Sequence, residues 1–255
     1  MSLFKKVLSS VGIGSAKVDT VLYEDRFVPG EVMEGVVKIK GGSLEQDIEE
    51  IYFTIQTSYQ VEKDDTKVTK TAVLESFKLG ESLRIRAGEE VEIPISLILP
   101  FDTPLTVGRT KVWVATGLDI KGAVDPSDKD YVDVVAGEVM GALFDSLEEL
   151  GFELYDAECE AVNRFRARLP FVQEFELKPR SGPFRGRFDE LEIICNPYED
   201  GADFYIELDR RARGISGFFA EMLDADEVGL NLKVSRYELD ELTDRLYDLL
   251  NSYSY

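Results

Sequence analysis

The 255 residues carry 50 acidic and 29 basic side chains, a formal charge of −21, and no histidine. That balance opposes nucleic-acid binding, which needs a basic face to neutralise phosphates, and opposes adsorption to anionic lipid. The missing imidazole removes Ser-His-Asp and Cys-His machinery and the usual acid–base group near neutral pH, so an enzyme here would rest on carboxylates, Lys, Tyr or a carboxylate-held metal.

The chain begins with Lys5 and Lys6 ahead of a short apolar stretch broken by serines and glycines, a poor secretory signal. Leu3, Phe4, Val7, Leu8 and Val11 share one helical face, read as docking on the protein's own domain. No apolar run approaches the ~18 residues needed to span a bilayer. A cytoplasmic protein without stable membrane insertion is the expectation.

Alternation then dominates. Turn signals at residues 28–31 and 40–43 flank "VMEGVVKIK". Ile51, Phe53, Ile55, Thr57, Tyr59 and Val61 point one way, with Tyr52, Thr54, Gln56, Ser58, Gln60 and Glu62 opposite. Val91, Ile93, Ile95, Leu97 and Leu99 repeat the pattern against Glu92, Pro94, Ser96, Ile98 and Pro100. Such runs predict strands with one buried face, and Pro94 predicts an edge strand because it cannot donate to a ladder. Short strands and turns across residues 16–135 are the signature of a β-sandwich.

From Gly137 to Leu150 the period becomes helical, through Met140, Leu143, Phe144 and Leu147, with Gly151 as the stop. Strand patterns resume over 152–162, 171–178, 187–195, 202–208 and 228–235. The chain closes on a helical stripe of Leu239, Leu242, Leu246 and Leu249. The predicted architecture is mainly β: two β-sandwich domains in tandem, with an interdomain helix and a C-terminal helix. The domains are read as 1–136 and 137–255, the second including both helices. Charge chemistry changes at that boundary, from 12 Lys and 4 Arg to 2 Lys and 11 Arg. Arginine suits fixed bidentate contacts, so the second domain is expected to hold its cations in structured pairs. Cys159 and Cys195 occupy apolar positions of alternating runs and read as small buried hydrophobes rather than ligands or nucleophiles.

Four groups compete for a functional role. Asp125, Asp128, Asp130 and Asp133 could hold Ca²⁺ but lack the glycine and terminal glutamate of an EF-hand. A solvated loop is the simpler account, with Asp125, Asp128 and Asp130 also candidates to pair with arginines across the domain boundary. Arg164, Arg166 and Arg168 form an alternating row, in which Arg164 and Arg166 would face Glu176 and Glu174 if residues 169–171 turn the chain. Arg210, Arg211 and Arg213 form a knot at a strand end. The knot is read as a structural clasp neutralised by nearby acids, with an anion- or phosphoprotein-docking site as the alternative. Phe218, Phe219, Met222 and Leu223 read as core, or as a partner or dimer surface if exposed.

Specific stretches are family-like. "IGSAKVDTVL" (13–22), "PGEVMEGVVKIKGGSLEQDI" (29–48), "DPSDKDYVDV" (125–134), "LPFVQEFELKP" (169–179), "GPFRGRFDELEI" (182–193) and "ELDRRARG" (207–214) resemble the bacterial sporulation-control family, the stage-zero type M proteins. The resemblance implies an arrestin-like pair of β-sandwiches. It also implies a non-enzymatic regulator of early sporulation or the cell cycle, acting as an adaptor through protein partners. No cofactor is expected, and a homodimer is left open. The competing readings are a carboxylate-based hydrolase or carbohydrate-binding β-sandwich, and a self-assembling structural protein.

Overall fold

The computed structural model describes residues 15–63, 66–122, 124–162, 168–209 and 230–253. They divide into two compact units: residues up to Thr57 with Val73–Pro100 and Lys111–Val134, and Ser58–Ala72 with Phe101–Thr110 and Val135 onward.

In the first unit, strands β1 (Lys17–Leu22), β3 (Val32–Lys40) and β7 (Glu90–Ile98) form an antiparallel three-stranded sheet in the order β1-β3-β7. Pro94 thus lies on an edge strand, as its missing N–H requires. The second sheet is built on the first part of β4 (Gln46–Lys63). It pairs with β8 (Val112–Ile120), and β8 pairs with β9 (Ser127–Val134), both antiparallel. The short β2 (Arg26–Phe27) closes that side in parallel, while β5 (Thr66–Lys78) and β6 (Leu83–Ile85) also pair with β4. Between the sheets lie Met33, Val37 and Ile39 of β3, with Ile51, Phe53 and Ile55 of β4 and Val114 and Leu118 of β8, all essentially fully buried. Thr20 and Thr116 join β1 to β8 through their hydroxyls at 2.7 Å, each satisfying a polar group that the sandwich buries.

Tyr52 and Gly117 are cross-strand partners, and a Cβ at Gly117 would stand 2.1 Å from the Tyr52 ring. Glycine here makes room for an aromatic on the neighbouring strand. Trp113, four residues earlier on β8, is buried, donates to its cross-strand partner Gln56 at 3.0 Å, and carries Lys129 Nζ 3.7 Å from its ring centre.

The second unit is an antiparallel meander of β10 (Phe152–Ala161), β11 (Phe171–Pro179), β12 (Glu190–Tyr198), β13 (Gly201–Asp209) and β14 (Leu230–Ser235). The free side of β10 meets the far end of β4 in parallel at Glu160 and Gln60. Helix α1 (Glu138–Glu149) packs on the sheet through Phe144, whose ring meets that of Phe175 edge-on at 5.3 Å. Gly151 ends it in the left-handed region (φ 90), where a Cβ would also meet the Ser181 carbonyl at 2.4 Å. Helix α2 (Leu242–Ser252) packs on α1, and Thr243 donates to Ser146 at 3.0 Å. Its buried stripe is Leu242, Leu246 and Leu250; Leu239 belongs to a preceding 3₁₀ turn, which shifts the face by one residue at Leu249.

Candidate functional site

On one face of the β10–β13 meander the polar positions of four strands are mainly carboxylates. Antiparallel register sets Glu158 opposite Glu174, Asp156 opposite Glu176, and Glu176 opposite Glu192, which in turn faces Glu207. Like charges directly opposite repel, and Glu158, Glu174 and Glu192 are buried as well. Among the described residues, Lys67 and Arg109 bind this ladder. Lys67 of β5 donates to Glu158 and Glu160, both at 2.8 Å, and Arg109 reaches Asp156 at 2.5 Å and Glu158 at 3.0 Å. Burial alone would lower the Lys67 pKa, but its bonds to Glu158 and Glu160 outweigh that and the net direction is up.

Glu174 receives no such help. It is 2% exposed and its Oε1 has no hydrogen-bond partner. Burial pushes its pKa up to about 10, aided by the charges of Glu192 and Glu160, a hydrogen bond shared with Glu192, and the charge of Glu176. At neutral pH it is therefore a neutral acid. Glu160 and Glu176 are also shifted up, chiefly by burial. Gln173, next to Glu174, faces the other way and pins residues 105–110: Leu105 N–H donates to Oε1, while Nε2 donates to the Leu105 carbonyl and Thr110. A glutamic acid held neutral beside further carboxyl groups resembles the pair a glycosidase uses. Here, however, the acid is buried and both Glu158 oxygens are engaged by cations, so no substrate-facing pair is presented.

The aspartates expected near residue 130 are all held within the first unit. Asp125 Oδ1 accepts from Ile120 N–H at 3.0 Å and shapes the turn before β9. Asp128 Oδ2 accepts from Thr20 N–H at 2.7 Å, tying β9 to β1. Asp130 lies beside it, with its pKa raised to about 6 by burial, the Asp128 charge and hydrogen bond, and the Asp19 charge. Asp133 pairs loosely with Arg26 at 3.9 Å. Among the described residues, no three carboxylates converge as a metal would require.

Arg210, Arg211 and Arg213 lie outside the described residues, as do Arg164, Arg166 and the 218–223 segment. Arg168 pairs with Asp102. Both cysteines are free thiols with pKa values pushed up to about 12 by burial, which makes poor nucleophiles of them.

A second surface belongs to the first unit. The outward residues of the three-stranded sheet are charged at one end, where Lys40 meets Glu90 at 2.6 Å and Lys38 meets Glu92 at 4.0 Å. Toward the other end they turn apolar. Val21, Val36 and Pro94 share one cross-strand row, and Val32 faces Ile98. Tyr23, 66% exposed, stands across from Glu34; Val32 and Ile98 are 53% and 61% exposed. The sequence carried a signal for this face: Ile98 falls on the polar side of its alternation, and Val32 and Val36 on the polar side of theirs. The glutamate ladder had a signal too, in glutamates recurring at alternate positions of three successive strands. What hid it was the usual equation of polar positions with solvent.

The SpoOM protein family model matches residues 4–212. The sporulation-control protein spo0M of Bacillus subtilis (strain 168) is 44% identical over 257 residues, covering 100% of both chains. The crystal structure of Spo0M from Bacillus subtilis superposes with a TM-score of 0.89 at 43% identity, covering 94% of this chain and 100% of that one.

Proposed function

Because the chain belongs to the SpoOM family of sporulation-control proteins, we propose that it is a non-enzymatic regulator that works by holding protein partners in an arrestin-like, adaptor manner. The observation that carries this reading is the outward face of β1-β3-β7, where Val32, Ile98 and Tyr23 are left to solvent in one patch. A stable sheet gains nothing by exposing apolar side chains in rows, and such patches mark interaction surfaces. The carbohydrate-binding alternative lacks a platform at Trp113, which is buried and engaged by Gln56 and Lys129.

The test is crosslinking in the native host followed by mass spectrometry, with the full chain and a Val32→Ser/Ile98→Ser variant. Both positions are exposed, so the variant should keep its circular dichroism and melting temperature while losing its crosslinked partners. A variant that retains every partner would remove this face from the account.

A further inference from the structure

We infer that the apolar face of the first unit receives an amphipathic helix of a partner protein whose apolar stripe is flanked by lysine or arginine. The inference rests on the protein-binding reading above and adds the chemistry of the partner.

Two features of the face select that occupant. The first is shape: three strands ~4.8 Å apart span a width of about 10 Å, the diameter of one helix with its side chains. Across that width Val21, Val36 and Pro94 form one apolar row, and Val32 with Ile98 another, with Tyr23 alongside. The two rows lie four residues apart on β3, about 13 Å, so a helix laid along the strands would meet them with apolar residues two to three turns apart on one stripe.

The second feature is charge. Glu34 stands within the patch, between Tyr23 and Ser96. Glu24, Asp25 and Glu31 lie at the same end of the sheet and are exposed. Among the described residues none of these four carboxylates is in an ion pair, and the nearby Arg26 is directed to Asp133. At the opposite end the charges are already matched, Lys40 with Glu90 and Lys38 with Glu92. Unmatched negative charge is therefore concentrated around the apolar rows. It complements a basic helix, and it repels an acidic one or an anionic membrane.

The experiment uses the full-length protein and two synthetic helical peptides, one of leucine and lysine and one of leucine and glutamate, followed by fluorescence anisotropy at two salt concentrations. The lysine peptide should bind and weaken with salt, while the glutamate peptide should not bind. Val32→Ser/Ile98→Ser and, separately, Glu31→Lys/Glu34→Lys should each weaken the lysine peptide by about tenfold. Equal binding of both peptides, or lysine-peptide binding untouched by Val32→Ser/Ile98→Ser, would overturn the inference, the latter because the protein's overall acidity would then explain it. If Val32→Ser/Ile98→Ser abolishes partner crosslinking in the host while neither peptide binds, the adaptor reading stands and the basic-helix inference fails. Lys5→Glu/Lys6→Glu in the full chain probes its own leading segment. A gain in lysine-peptide affinity of about tenfold there would make that segment the occupant and overturn the partner assignment.

Discussion

At Glu174 burial and the neighbouring glutamates act in one direction, keeping a proton on the carboxyl until about pH 10. An unfolded glutamate titrates near ~4.3, so between these values the folded state binds more protons than the unfolded one. Stability contributed by this group therefore falls as pH rises across that window and is flat below it. Glu174→Gln copies the neutral acid in shape and charge. Its melting temperature relative to the wild type should rise steadily from pH 5 to pH 9 and level off at lower pH; a constant difference across that range would show Glu174 to be ionised in the fold. The alternation in the sequence places a carboxylate here and sets it opposite Arg166, which lies outside the described residues. That alternation identifies the face of a strand was legible; that the face is sealed was not, because sealing depends on what lies over β11 rather than on β11 itself.

Among the elements, the two helices show most clearly what periodicity can and cannot supply. Helix α1 follows its sequence pattern to the stop at Gly151, since the glycine's left-handed φ and its contact with Ser181 are both demanded at that point. In α2 the apolar leucines allow two stripes, and packing selects Leu242, Leu246 and Leu250 over the set that includes Leu239 and Leu249. Leu246 is fully buried, so Leu246→Ala should lower stability by about 2–5 kcal/mol through lost transfer energy and a residual cavity. Leu249→Ala, at a half-buried position, should cost less, and chemical denaturation of both variants ranks them. Equal losses would mean that the stripe read from the sequence is the true one. Among strands, the register of β10, β11 and β12 is the feature with the largest consequence, because a one-residue slip would move every ladder glutamate to the helix-covered face.

For the whole molecule, a formal charge of −21 sets self-repulsion against a set of mostly exposed ion pairs. Exposed pairs contribute about 0–1 kcal/mol each, whereas the surplus charge repels at long range when the Debye length is near ~30 Å, as in 0.01 M salt. Repulsion should win, so melting temperature at pH 8 should rise as salt is raised to ~0.15 M, where screening acts within ~8 Å. A fall would mean that part-buried attractions such as Lys67 with Glu158 dominate instead. The sequence by itself determined the mainly β class, the positions of the helices, the family and the absence of histidine chemistry, because strand and helix periods and composition are local properties. Only the tertiary structure decided which polar positions are buried and which apolar ones are exposed. Glu158, Glu174 and Glu192 come together through strand register, and Val21, Val32 and Ile98 share a face only once three strands distant in sequence lie side by side. Neither grouping exists along the chain; pairing across strands creates both.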